Sequence, residues 1–116
     1  FVEKVSVPEY IQANARKGLV YYEEGKGGSG LTSKTIREAR QIASGSISDD
    51  KVIRMNAWFA RHKVDLERPQ NSNRSHEDFP SAGAVAWYLW GGNPTKPQQA
   101  MDWAKKESDR IKEGDE

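Results

Sequence analysis

Apolar residues return along this chain at helical spacing. Ile11, Ala15, Leu19 and Tyr22 are four, four and three residues apart, which places them on one stripe of a helix running from about residue 8 towards residue 24. Ser6-Val-Pro-Glu9 has the order of a capping box with Pro8 in the first turn, while Gly18 weakens the middle. Residues 25–30, Gly-Lys-Gly-Gly-Ser-Gly, end this helix. A second helix, capped by Thr32 or Ser33 and stopped by Gly45, sets Ile36, Ala39, Ile42 and Ala43 inward. Ser48 caps a third, Asp49 and Asp50 complement its positive end, and Val52, Met55 and Phe59 form its core stripe as far as His62.

Residues 66–80 show no apolar period and read as a long, mobile surface loop. Ser81 then caps Ala82-Gly-Ala-Val-Ala-Trp-Tyr-Leu-Trp90, apolar around its whole circumference and therefore predicted to be a buried central helix. Thr95-Lys-Pro-Gln98 resembles another capping box and starts a C-terminal amphipathic helix over residues 95–113, with Met101, Ala104 and Ile111 inward. Only residues 1–5 invite an extended reading. The expected fold class is all-α: one compact domain over residues 1–116 with about five helices, its core within residues 6–92.

Composition supports a folded chain, since four Trp, four Tyr and three Phe exceed what a disordered segment carries even with 30% charged residues. With no cysteine there is neither a disulfide framework nor a thiolate metal site, which points to a reducing interior. The apolar run at residues 82–90 is far shorter than the roughly 20 residues needed to cross a bilayer, and no signal-peptide pattern opens the chain. A soluble protein with no membrane partner is expected.

The net charge of +1 hides a segregation. Residues 26–63 hold eight Lys or Arg against three carboxylates, a local +5, and the segments on either side are acidic. At about 100° per residue Lys34, Arg37 and Arg40 cluster on one side of the second helix. Arg54, Trp58 and Arg61 lie at i, i+4 and i+7 on the third, so an aromatic ring stands between two guanidiniums. With Lys26, these seven residues are the candidate nucleic-acid surface: the cations contact phosphates, and Trp58 either stacks on a base or packs in the core. The pair of helices also has the outline of a helix-turn-helix, but Asp49 and Asp50 would repel phosphates at the start of a recognition helix. Sequence-independent backbone contact to DNA is the favoured expectation.

Three chemical readings are weaker. The glycine-rich stretch lacks the Gly-x-x-x-x-Gly-Lys-Ser/Thr order of a phosphate loop. His62, Asp65, His76, Glu77 and Asp78 have the residue types of a metal-dependent hydrolase, yet no His-Glu-x-x-His or paired-histidine spacing. His62 and Asp65 read better as the end of the third helix, with Asp65 pairing to Arg61 or His62. No elbow of Gly-x-Ser-x-Gly order is present, and no motif calls for a metal or cofactor.

Met55-x-x-Trp-Phe-Ala-Arg-His-x-Val-Asp65, followed by Ala86-Trp-x-Leu-Trp-Gly-Gly92, resembles an uncharacterised module of tailed bacteriophages found beside or fused to head-morphogenesis proteins. The likeness extends from about residue 15 to residue 92, through Gly18-Leu19, residues 27–31 and residues 39–45; residues beyond 95 fit it less well. It implies a viral protein acting in the host cytoplasm or in the virion, with DNA or with head, portal or scaffold proteins as partners, and the missing catalytic motifs add the expectation that it is not an enzyme. No neighbouring protease activity carries over.

Overall fold

The computed structural model describes residues 4–28 and 30–114. Among these, six helices and two short strands follow in the order β1 (Lys4–Ser6), α1 (Glu9–Glu23), α2 (Ser33–Ser44), β2 (Ser46–Ser48), α3 (Asp49–His62), α4 (Pro69–Ser72), α5 (Ala82–Leu89) and α6 (Gln98–Gly114), with a 3-10 turn at Lys63–Glu67. The helical class expected from periodicity is what forms. None of the described helices is long and apolar enough to cross a membrane.

Strands β1 and β2 pair antiparallel, with Val5 opposite Ile47. The pairing corrects the reading of Ser6 as a helix cap. Val5 and Val7 both turn into the core, and that period of two puts Ser6 outward in a strand. The helix begins only after Pro8, without a side-chain cap, while the Pro8 carbonyl accepts from the Ile11 and Gln12 amides. Of the extended piece expected over residues 1–5, residues 1–3 lie outside the described chain.

Three other predicted caps form: Thr32 accepts from the Thr35 amide, Ser48 from Lys51 and Ser81 from Ala84. Gly45 closes α2 at φ 100°, the left-handed conformation expected of it. The capping box at Thr95 does not form. Asn93 takes the Thr95 amide and hydroxyl on its side-chain oxygen, and α6 starts three residues later.

Helix α1 packs across α2 and α5, and α3 lies along α6. Gly18, which weakens α1 on propensity, sits where α1 crosses α5: a β-carbon there would stand 2.7 Å from the Leu89 backbone nitrogen. We expect Gly18→Ala to destabilise the fold by about 1–2 kcal/mol, because overpacking against backbone outweighs the gain in helix propensity. A lowered urea midpoint at constant m-value measures it; an unchanged or raised midpoint would contradict the tight crossing.

The main core gathers Val5, Val7, Ile11, Ile47, Val52, Met55, Phe59 and Trp87, while Ile36, Ala39, Val85 and Leu89 form a second cluster between α2 and α5. Helix α5 is central as expected, with Ala84, Val85, Trp87, Tyr88 and Leu89 buried. Its remaining side, Ala82, Gly83 and Ala86, is less covered. The segment read as a mobile loop over residues 66–80 is instead partly structured. Buried Asn71 donates to the Asp65 carbonyl at 2.6 Å and accepts from the Ser81 hydroxyl, pinning the segment to both flanking helices. A buried amide in a polar stretch leaves no mark on hydropathy.

Candidate nucleic-acid interface and cleft

On α2, the residues opposite the Ile36, Ala39 and Ile42 stripe are Lys34, Arg37, Arg40 and Gln41, all exposed. No carboxylate of the described residues pairs with Lys34, Arg37 or Arg40. The single acid on this helix, Glu38, is turned into the groove between α2 and α3. There it meets Lys51 Nζ at 3.3 Å and the guanidinium of Arg54 at 3.0 and 2.8 Å, and Arg54 also donates to Asp50 at 2.8 Å. Burial alone would raise the Glu38 carboxyl, but the Arg54 hydrogen bonds with the Lys51 and Arg54 charges bring it down to about 2. Burial pushes the Lys51 ammonium down to about 8 against the opposing pull of Glu38.

Lys51 is only 2% exposed, and its ammonium rests 3.5 Å from the centre of the Trp90 ring. Trp90 stacks on Trp58 with centroids 5.0 Å apart and planes within 10°. Trp58 stacks in turn on His62 at 4.4 Å, and His62 Nδ1 lies 3.0 Å from Asp65 Oδ2. Lys51, Trp58 and His62 share one stripe of α3, two turns and then one turn apart; Trp90, from the end of α5, enters the gap between the first two. Trp58 thus stacks on both Trp90 and His62. An aromatic column results, closed at one end by the Lys51–Glu38 pair and at the other by the His62–Asp65 pair.

Beside the His62 end lies a cleft of about 280 Å³. One wall is the glycine-rich segment, Gly27, Gly30 and Leu31; another is the small side of α5, Ala82, Gly83 and Ala86; Trp58, Trp87, His62 and Asp65 complete it. Trp87, stacked on Phe59 at 5.0 Å, keeps its indole Nε1 buried without a hydrogen-bond partner among the described residues.

The structure distributes the candidate residues unevenly. Lys34, Arg37 and Arg40 share the outer face of α2. Lys26 is exposed after α1, 3.2 Å from Glu24, and Arg61 is exposed near the end of α3. Arg54 is engaged within the fold, where Glu38 and Asp50 take its donors. Trp58 is partly buried, stacked on Trp90 and His62 and also lining the cleft. Asp65 pairs with His62 rather than Arg61. His76 accepts from the Asp78 amide within its own turn, and no group of three or more potential ligands converges among the described residues.

Sequence reasoning missed Glu38, Lys51 and Trp90. The available signal for Glu38 was its solitude, one acid in a basic helix; nothing in the local pattern marks Lys51 as buried. Comparisons with protein-family models, curated proteins and solved structures yield no match.

Proposed function

We propose that this domain binds DNA through its phosphates, using Lys34, Arg37 and Arg40 on α2 with Lys26 and Arg61 at the margins. The observation that carries this reading is the state of Glu38. Because Lys51 and Arg54 neutralise it inside the groove, the outer face of α2 presents three cations with no competing carboxylate on the same helix. Such a face attracts a polyanion without selecting a base sequence. Arg54 supports the surface by holding Glu38 inward. The resemblance to a phage module fits a binding role in an infected cell or a virion, without catalysis or a cofactor; among the described residues the cleft lining holds a histidine oriented by a carboxylate and no hydroxyl or thiol nucleophile.

Titration of labelled DNA at low and moderate salt tests the proposal. Binding must weaken as salt rises, and absence of binding at low salt would sink it. In Arg37→Glu/Arg40→Glu the slope of log affinity against log salt should fall by about 2, one for each lost phosphate contact. An unchanged slope would show that α2 is not the contact face.

A second reading, a virion-assembly module that docks on head, portal or scaffold proteins, has its own observation. Val64 is 60% exposed beside an apolar hollow of about 430 Å³ lined by Lys63, Leu66, Glu67 and Pro97. Val64→Asp should then abolish co-purification with head proteins and leave DNA titrations unaltered.

A further inference from the structure

We propose that the cleft between the glycine-rich segment, α5 and the His62 end of the aromatic column receives one unpaired nucleobase, so that the domain prefers single-stranded to double-stranded nucleic acid. The inference rests on the phosphate-binding reading and adds the ligand that the cleft selects.

Charge decides against phosphate as the occupant. Among the described residues of the cleft lining the one full negative charge is Asp65, and no Lys or Arg lines it. An uncharged group that enters beside a cationic face, with its own phosphates left on that face, is a base. Shape agrees: Gly27, Gly30, Ala82, Gly83 and Ala86 give low walls that let a flat ring approach backbone, and His62 and Trp87 supply aromatic walls. His62 is stacked by Trp58 on one face, and no second aromatic ring of the described residues stacks on it.

Polar groups at the cleft match a base edge. Asp65 spends Oδ2 on His62, and its other oxygen makes no hydrogen bond among the described residues, so it can accept from an exocyclic amino or ring N–H. Trp87 lines the cleft but keeps its Nε1 donor buried from solvent, which leaves the Asp65 oxygen as the group that meets the base edge. Continuity with the proposed phosphate face is built into the chain, since Leu31 of the cleft lies three residues before Lys34 and His62 directly follows Arg61. A paired base, held in its stack, cannot reach such a recess without leaving the duplex.

The test compares three probes of equal length: a single strand, the same strand with every base removed, which keeps its charge, and a duplex, which carries about twice that charge. Binding is measured over a series of salt concentrations, with the indole N–H resonances followed by NMR. The intact strand should bind about tenfold tighter than the abasic strand, the size of one base stacking on an aromatic wall. The Trp87 resonance should shift with the intact strand alone. Ala86→Leu, which fills the cleft from its α5 side, should erase that tenfold preference while the abasic affinity, salt slope and urea midpoint stay at wild-type values. Equal binding of intact and abasic strands would overturn the base site and leave the phosphate reading standing. An intact-strand preference that survives Ala86→Leu would place the base elsewhere and equally overturn it. If no probe binds at low salt, both proposals fall.

Discussion

Glu38→Gln should lower the stability of the domain by about 3–5 kcal/mol, the cost of leaving a buried charge without its partner. Lys51 is nearly inaccessible, and its ammonium depends on the Glu38 carboxylate and the Trp90 ring. Glutamine keeps the shape and one acceptor but removes the charge. The same pair sets a pH signature. In the folded chain the Glu38 carboxyl titrates near 2 rather than 4.5, so its stabilisation is fully present above 4.5 and lost as pH falls through 2. That window should account for about 3 kcal/mol of acid destabilisation in the wild type and be missing from Glu38→Gln. At the alkaline end the sign follows from Lys51. Its folded value near 8 lies below 10.5, so the unfolded chain binds more protons between the two, and this group makes stability rise with pH there. Removing Glu38 lowers the Lys51 value further and should extend the rise to lower pH. Urea midpoints across pH 2–10 read all three effects; a variant within about 0.5 kcal/mol of wild type at pH 7 would mean that the pair is not a desolvated one.

Trp90→Ala should cost about 3–5 kcal/mol, the range for deleting a large aromatic from a packed site. The ring is only half-buried, and its importance comes from position: it separates the Lys51 ammonium from Trp58 and contacts both. Its loss strips the cation of its aromatic face and frees one side of Trp58 together. Trp90→Phe should recover part of the deficit and Trp90→Leu less, because leucine replaces volume without the ring quadrupole. If leucine and phenylalanine perform alike, the cation–ring contact contributes nothing and packing alone explains the site. Because Trp58 and His62 wall the cleft, Trp90→Ala should also weaken single-strand preference, whereas Glu38→Gln should raise affinity for every polyanion by releasing Arg54 from its carboxylate.

Much of the helical scaffold was legible. The Thr32, Ser48 and Ser81 caps, the Gly45 stop and the Val52, Met55 and Phe59 stripe follow from interactions between residues three or four apart, which a linear sequence displays directly. Ser6 and Thr95 misled because a capping box is a necessary pattern and not a sufficient one. Strand pairing with residues 46–48 took the first, and the Asn93 side chain claimed the second. The candidate surface was legible in the same local sense: helical phase alone placed Lys34, Arg37 and Arg40 together. The same phase argument grouped Arg54 and Trp58 with the outer face, although the neighbouring helix turns that face into a groove.

What the sequence determined by itself, then, is the helical class, most helix boundaries, the central place of α5 and the basic bias of residues 26–63. Each of these is written in short-range periodicity or in charge counts. The tertiary structure alone decided which of those charges meet solvent. The fold brought Lys51 and Arg54 of α3 to Glu38 of α2, thirteen and sixteen residues away, and consumed one acid and two cations together. It also threaded Trp90 between Lys51 and Trp58, turning a suspected stacking platform into the wall of a cleft whose far side is glycine and alanine. The reason is physical: desolvation and ring stacking depend on partners brought close in space, and these partners lie up to thirty-nine residues apart in the chain.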